Sequence, residues 1–388
     1  MNTLMTAMRR GYMTLVGAVL SLFLNVQVVE GQSQPTRQEL GAPRTTFAQP
    51  FSNVAGLRAL NDGRVLVADR IEQALWLVNL RTGSQEQIGR EGEGPGEYGM
   101  PSGLFAVGGD TTYMMDGLTR RINVVLPNGT ISSSTIPSRL PSGVPIFPRG
   151  ADARGRIYFD LGGIMMPGME EYAASGRAPL LRWTPGTETV DTVGFVHFPP
   201  MPGTARPGEV RVSIGGGAYQ GRDGWDVTPD GRVGIVRHAD YRVEWTAAGA
   251  RPTVGAPVPF EPVRIGTAEK NAWADQMATQ GLRIEMENGR RRVGRPPRPD
   301  IATIDWPEVM PPFVQQGVRV SPEGELWVER SAPARADQRT YDVFDAQGRL
   351  VRQVLFPTDR RLVGFGRGVL YAIRVDADDL QWLEVYAR

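Results

Sequence analysis

Nine charged or imidazole-bearing residues follow apolar, strand-like segments of this sequence, at points where loops would bring side chains together. They are Arg70, Asp116, Asp160, Arg237, His238, Asp240, Arg330, Arg374 and Asp376. Guanidinium groups bind carboxylates and phosphates through paired hydrogen bonds, and carboxylates accept hydrogen bonds from hydroxyl groups. We therefore predict that these residues bind an anionic or sugar-like ligand. The alternative is that they form salt bridges with one another and hold the loops in place.

The carboxylates of this set could bind a metal ion. Asp116, Asp160, Asp240 and Asp376 would offer oxygen ligands to a hard cation such as calcium, although few asparagines accompany them. Zinc is disfavoured, because catalytic zinc sites commonly use several histidines and this chain has only two histidines and no cysteine. We expect no bound cofactor, and the alternative is a bound calcium ion.

A glycine-rich motif and a run of arginines could suggest nucleotides or nucleic acids, but neither fits its context. Residues 94–99 read G-P-G-E-Y-G, which matches the dinucleotide-binding pattern G-x-G-x-x-G. Glutamates crowd this loop, and Met100-Pro101 follows where the pattern requires a helix. The basic residues of segment 290–298 lack interleaved aromatic residues, and the net charge of the chain is only +1. We expect no nucleic-acid partner.

The first 31 residues have the pattern of an export signal. Arg9 and Arg10 precede an uncharged, largely apolar stretch over residues 11–29, and Gly31 follows as a small residue near a cleavage point. We predict a signal peptide at residues 1–31 and a flexible leader at residues 32–43. The mature protein would be periplasmic or secreted, without stable membrane insertion. The alternative is that the uncharged stretch remains as a membrane anchor.

The rest of the chain repeats one unit six times. Each copy contains an apolar strand, a tight turn, a second strand, a polar loop, a third strand and a glycine turn, as in residues 56–83 and 103–129. Alternating apolar residues such as Val65 and Val67 give the period of two that half-buried strands require. A fourth strand follows every copy except the last. We therefore predict an all-β fold, a six-bladed β-propeller with four-stranded antiparallel blades.

The last copy, residues 362–388, ends without a fourth strand. A circular array must cover its open edge, because an exposed edge strand leaves unpaired backbone groups. We predict that residues 45–51 supply the missing strand, so that the propeller extends over residues 44–388.

An insert of about residues 260–313 separates the fourth and fifth copies. Within it, the pattern predicts a helix over residues 267–280, with Thr267 as its cap and Gly281 as its stop. Asn288-Gly289 then predicts a type I′ hairpin turn. We expect this insert to form a flap on one face of the propeller.

The second copy resembles the NHL repeat. Residues 94–98 stand at the place of that repeat's glycine-rich acidic linker, Pro101-Ser102-Gly103 at its strand start, Asp116 at a strand end and Arg121-Ile122 in the next strand. More broadly, the mature chain is similar to the NHL-like and TolB-like six-bladed propeller proteins that bacteria export. This resemblance implies the propeller fold, but it implies no particular activity.

In propellers, the loops between second and third strands surround one mouth of the central channel, together with the linkers that enter each blade. The nine candidate ligand-binding residues, from Arg70 to Asp376, fall on these loops, so we predict that the binding site lies at that mouth. We expect a non-catalytic module that binds a small ligand, a peptide or a partner protein there. The alternative is a calcium-dependent lactonase or hydrolase of the regucalcin type, or a lyase of the NHL type.

Overall fold

The chain forms a six-bladed β-propeller, as its repeats predict. The computed structural model describes residues 35–200, 211–212, 217–287 and 290–388. The predicted signal peptide and the predicted turn at residues 288–289 lie outside the described residues. No helix among those described is long and apolar enough to cross a membrane.

The strands follow one another as the repeats require. The N-terminal segment contains β1 (Thr36–Glu39) and β2 (Thr45–Thr46). Blade 1 contains β3 (Val54–Ala59), β4 (Val65–Asp69), β5 (Ala74–Asn79) and β6 (Ser84–Gln87), and the short pair β7 (Arg90–Glu91) and β8 (Glu97–Tyr98) follows. Blade 2 contains β9 (Pro101–Ala106), β10 (Thr112–Asp116), β11 (Arg121–Val125) and β12 (Ile131–Pro137).

Blades 3 and 4 carry the longer loops. Blade 3 contains β13 (Gly150–Ala151), β14 (Ile157–Asp160), β16 (Arg177–Trp183) and β17 (Val190–His197), with β15 (Ile164–Met165) and helix α1 (Glu170–Ser175) in the loop after its second strand. The short strand β18 (Arg211–Val212) pairs with β15. Blade 4 contains β19 (Gly224–Val227), β20 (Val233–Arg237), β21 (Arg242–Thr246) and β22 (Thr253–Val254).

The insert and the last two blades complete the chain. The insert contains helix α2 (Thr267–Gln280), the antiparallel hairpin β23 (Arg283–Glu287) and β24 (Arg290–Gly294), and a short 3-10 helix (Ile301–Thr303). Blade 5 contains β25 (Phe313–Val320), β26 (Leu326–Arg330), β27 (Gln338–Phe344) and β28 (Leu350–Pro357). Blade 6 contains β29 (Arg360–Gly366), β30 (Val369–Val375) and β31 (Gln381–Ala387).

Hydrophobic clusters between neighbouring blades hold the ring together. Each of the six clusters of buried side chains draws on two adjacent blades, including the pair of blade 6 and blade 1. The innermost strands approach one another closely at glycines. A Cβ atom added at Gly150 would lie 2.4 Å from Cγ1 of Val227, and one added at Gly224 would lie 2.7 Å from Cγ2 of Val318. Any larger residue there would push adjacent blades apart near the channel.

The N-terminal segment closes the ring, which confirms the prediction from the missing strand. Strand β2 pairs antiparallel with β31, placing Thr45 opposite Val385. Beyond it, Phe47 and Phe51 are each only 2% exposed, stack with ring centroids 5.9 Å apart, and belong to the cluster between blades 6 and 1. The first and last segments of the propeller are therefore joined within one sheet and one hydrophobic core.

The segment expected to be a flexible leader contains a strand. Within residues 32–43, β1 pairs in parallel with β28 and becomes the fifth strand of blade 5. All four of its residues are exposed, and Nε of Arg37 donates to Oε1 of Gln353 at 3.1 Å. Backbone hydrogen bonds to β28 hold this segment in place. Because its side chains are not needed for packing, no apolar pattern predicted the strand.

The insert has the predicted helix and hairpin. Helix α2 has the predicted bounds, but its N-cap is Gly266, and the side chain of Glu269 accepts a hydrogen bond from the Gly266 amide at 3.0 Å. The prediction of Thr267 as the cap was therefore wrong by one residue. The predicted stop at Gly281 is confirmed.

Candidate functional site

Asp116, one of the predicted ligand residues, is fully occupied by backbone hydrogen bonds. Its carboxylate is 0% exposed and accepts hydrogen bonds from four backbone amides at 2.7–3.1 Å. The donors are the amides of Gly99, Met100, Leu118 and Thr119. Asp69 in blade 1 accepts four amides in the same way, at 2.6–3.2 Å. Each carboxylate joins the linker that enters its blade to the loop after the second strand, so the arrangement gives both a structural role.

Each of the other predicted residues has a partner in its own blade or a neighbouring one. The ion pairs are Arg237 with Asp223 (2.7 Å) and Glu244 (2.5 Å), Arg330 with Asp342 (2.5 Å), Arg374 with Glu384 (3.1 Å) and Asp240 with Arg242 (2.9 Å). The hydrogen bonds run from Nε1 of Trp225 to Asp160 (2.8 Å), from Nε1 of Trp382 to Asp376 (2.7 Å), and from Arg70 to Oδ1 of Asn53 (2.9 Å). These residues therefore already have partners within the protein, and their contact with a ligand stays a prediction.

Asp223, which sequence reasoning missed, organises both histidines. Its buried carboxylate accepts hydrogen bonds from the backbone amides of His197 and His238 at 2.9 and 3.0 Å. Its Oδ1 also lies 3.0 Å from Nδ1 of His238, and the two imidazole rings stack with centroids 4.7 Å apart. Burial alone would raise the pKa of Asp223, but hydrogen bonds from His238, His197 and Arg237 lower it below its ordinary value. Predicted site residue His238 is thus held in place by an ionised carboxylate.

Because of His197, we expect the stability of the folded protein to fall as the pH decreases from about 7 to about 5. Burial, and then the nearby His238 and Arg237, lower the pKa of His197. The unfolded chain, with an ordinary imidazole pKa of about 6.5, binds this proton first. The stability is therefore present above that pKa and is lost as the pH falls towards the lower folded value. Melting curves of the wild type and His197→Gln between these pH values test this, since the variant should show a flatter decline. Superimposable pH profiles would contradict it.

A cavity of about 370 Å³ occupies the central channel. The innermost strands of all six blades line it, near the end where these strands run into their first turns. The second strand of each blade runs back antiparallel, so the loops after the second strands lie at the other end of the channel. None of the nine predicted residues lines the cavity. Its charged side chains are Arg58, Arg149, Asp226 and Arg319.

Arg319, which lines the cavity, and Arg361, in the innermost strand of blade 6, both lack an ion-paired carboxylate among the described residues. In the part of the chain that the structure describes, Arg319 and Arg361 form no salt bridge, and each keeps a buried Nε–H group without an acceptor. Nη2 of Arg361 donates to the Val54 carbonyl at 3.0 Å and to Oε1 of Gln381 at 3.2 Å. Burial, together with the neighbouring cations Arg319 and Arg70, lowers the pKa of Arg361 to about 10. Sequence reasoning missed both residues, although each places a charge inside an innermost strand.

The other charged side chains of the cavity are partnered. A guanidinium nitrogen of Arg58 lies 3.8 Å from Asp110, and one of Arg149 lies 3.4 Å from Asp160. Asp226 accepts hydrogen bonds from the backbone amides of Val320 at 2.7 Å and of its neighbour Val227 at 2.8 Å. Burial raises the pKa of Asp226 above its ordinary value. Arg319 forms no direct ion pair in the described part of the chain, although its charge, with that of Arg149, opposes the effect of burial on the pKa of Asp226.

Helix α2 lies across the predicted mouth. At its first turn, the Ala334 amide of blade 5 donates to Oε1 of Glu269 at 3.3 Å, and the Tyr219 hydroxyl, before blade 4, donates to the Glu269 carbonyl at 3.1 Å. At its last residue, the Gln280 carbonyl accepts a hydrogen bond from Nδ2 of Asn53, which enters blade 1, at 3.4 Å. Fourteen helical residues extend about 21 Å, and blade 4 is opposite blade 1 in a ring of six. The insert thus covers the mouth that the sequence predicted as the site.

This placement of α2 predicts a specific crosslink. The chain has no cysteine, so cysteines introduced at Ser52, the half-buried neighbour of Asn53, and at Gln280 should be joined efficiently by a short bis-maleimide, as measured by intact-mass spectrometry. A control pair at Asp62 and Gln280 should not be joined, because Asp62 lies in the turn at the far end of the innermost strand of blade 1. Equal yields for the two pairs would contradict the position of the helix.

The predicted calcium ligands lie apart. Among the residues described, no three histidine, aspartate or glutamate side chains are close enough together to hold a metal ion. Asp116, Asp160, Asp240 and Asp376 belong to blades 2, 3, 4 and 6. Calcium stays an alternative that remains to be tested.

Comparison with known proteins shows similarity in fold. No protein-family model matches the chain, and no curated protein matches it. A gluconolactonase from Xanthomonas campestris has a TM-score of 0.44 at 12% identity, covering 93% of this chain and 99% of the other. Regucalcin from Agrobacterium tumefaciens has a TM-score of 0.39 at 14% identity, covering 91% of this chain and 97% of the other. Virginiamycin B lyase from Staphylococcus aureus has a TM-score of 0.40 at 12% identity, covering 89% of this chain and 99% of the other. These similarities assign the chain no activity.

Proposed function

We propose that this protein is an exported, non-catalytic binding protein that takes a small organic anion into its central channel. The observation that carries the proposal is the guanidinium of Arg319, which lines the cavity and keeps a buried Nε–H group that no acceptor satisfies. Of the occupants that the sequence allowed, a small molecule fits best, because the cavity of about 370 Å³ is lined by innermost strands from all six blades.

The buried Nε–H group of Arg319 is energetically unfavourable. Arg319 itself is only half-buried, but this donor is shielded from water and has no acceptor in the described part of the chain, so the loss of its hydration is not compensated. An incoming carboxylate or phosphate would supply both the counter-charge and the acceptors, and charge-assisted hydrogen bonds to a guanidinium are among the strongest in proteins. The surrounding Arg58 and Arg149 would add to the attraction through the field of the channel.

Titration calorimetry on residues 32–388 with inorganic phosphate and with acetate tests the proposal. We expect binding, and we expect Arg319→Gln to weaken it about ten-fold or more. The matched control is Arg298→Gln, because Arg298 pairs with Asp275 at 2.6 Å on the exposed insert. Wild-type affinity in Arg319→Gln, or no binding of either anion, would contradict the proposal.

The proposal includes independence from metal. We expect EDTA to leave both the melting temperature and the affinity for phosphate unchanged, because the binding groups are guanidiniums. A melting temperature that falls in EDTA and recovers with calcium would instead favour the calcium-dependent alternative.

A further inference from the structure

An unpaired aromatic ring shares the cavity with the unpaired cation. Phe105, in β9, lines the cavity, and its side chain is only half-buried. Across the described ranges, it belongs to none of the six hydrophobic clusters and pairs with no other aromatic ring. Its own strand leaves room for it, since a Cβ atom at Gly103 would lie 3.1 Å from Cζ of Phe105. The ring is therefore presented to the channel and not to a core between blades.

Phe105 and Arg319 occupy equivalent places on opposite sides of the ring. A backbone hydrogen bond closes the first turn of each of these blades, from the Val107 amide to the Thr111 carbonyl in blade 2 and from the Ser321 amide to the Glu325 carbonyl in blade 5. Phe105 and Arg319 each lie two residues before the donor of that hydrogen bond. Blades 2 and 5 are opposite each other in a ring of six. Because both residues also line the cavity, the ring and the guanidinium face it from opposite walls at the same depth.

We infer that the ligand is an aromatic carboxylate, whose carboxylate binds Arg319 while its ring packs against Phe105. This inference rests on the proposed function and narrows it to one class of anion. Aromatic rings attract one another beyond the area they bury, in stacked or edge-to-face arrangements. A carboxylate matches the planar fork of a guanidinium.

The side chains of the cavity favour this class over a hydroxylated acid such as a sugar acid. The polar side chains besides the arginines are Ser321 and Asp226. Oγ of Ser321 accepts a hydrogen bond from the Glu325 amide at 3.2 Å, and the carboxylate of Asp226 is engaged by the amides of Val320 and Val227. These groups already help to hold the innermost strands, and only Asp226 keeps spare acceptor capacity, so the lining offers few side-chain acceptors for several ligand hydroxyls.

Calorimetry with four probes tests the inference: benzoate, phenylacetate, gluconate and inorganic phosphate. We expect the two aromatic acids to bind about ten-fold or more tightly than gluconate. Phe105→Ala should weaken the aromatic acids about ten-fold and leave phosphate unchanged, whereas Phe105→Tyr should retain most of the affinity. Arg319→Gln should weaken all the anions that bind.

The outcomes separate this inference from the proposed function. If gluconate binds as tightly as benzoate, or if Phe105→Ala leaves benzoate unaffected while Arg319→Gln weakens it, the channel binds anions but not through an aromatic group, and the inference is wrong. If none of the four probes binds the wild type, the proposed function itself is overturned. Circular dichroism of each variant confirms that it folds, so that a loss of binding is not a loss of structure.

Discussion

A chain that begins at residue 52 will not unfold in a single cooperative transition, whereas one that begins at residue 42 will melt close to the full mature chain. The longer truncation removes β2, Phe47 and Phe51, and leaves the outer edge of β31 unpaired. Truncating one buried phenylalanine typically costs about 3–5 kcal/mol, and whole domains are stable by only about 5–15 kcal/mol. Losing two such residues together with the closing strand should therefore open the ring.

The shorter truncation is the matched control for this result. It removes β1, whose residues are all exposed and which extends the edge of blade 5, and Leu40, which is only partly buried against the cluster between blades 5 and 6. Calorimetric melting of both truncated chains measures the difference directly. If the chain that begins at residue 52 melted within a few degrees of the other, closure by the N-terminal segment would not be what holds blades 1 and 6 together.

Replacing Asp116 by asparagine should destabilise the protein by about 2–4 kcal/mol, and Asp69→Asn should have a similar effect. Each carboxylate accepts four backbone amides. In each carboxylate Oδ1 accepts three of the amides and Oδ2 accepts one. An asparagine side chain replaces one of these oxygens with a donor, so that at least one amide loses its acceptor and faces an N–H group instead. Urea unfolding measures the change in the free energy of unfolding.

Asp240→Asn is the control for these two substitutions. Asp240 pairs with Arg242 at 2.9 Å near the surface, and exposed ion pairs contribute about 1 kcal/mol or less. A loss of ligand affinity in Asp116→Asn with unchanged stability would contradict the structural role of Asp116 and support the prediction that it binds a ligand.

The fold could be predicted to a large extent because its signals are local and repeated. Turn glycines at regular spacing marked the blades, and the missing last strand implied a closing segment, which β2 supplies. The bounds of α2 followed from its composition. Strand β1 could not be predicted in this way, because backbone pairing to an open edge leaves no pattern in side chains that are all exposed.

The site was less predictable, because residue type alone does not tell a carboxylate that binds a ligand from one that binds amides of its own chain. Asp116 looks the same in both roles until the linker before its blade is placed beside it. Arg319 and Arg361 were not predicted as site residues, because they lie inside strands that otherwise alternate as half-buried strands do. A charged residue in the interior of an innermost strand was the only sign of a role in binding. The surroundings of Arg319 become clear only when the six innermost strands are arranged around one channel.

Anomalous diffraction from crystals of the mature chain soaked in selenate tests the binding of an anion in the channel most directly. Selenate carries the charge and the acceptor oxygens of an oxyanion, and the position of its selenium can be read without assumptions about affinity. We predict a selenium peak in the cavity within hydrogen-bond reach of the guanidinium group of Arg319. Peaks confined to the opposite face, near Arg70 or Arg374, with none beside Arg319, would contradict the proposal and return the site to the loops that the sequence first indicated.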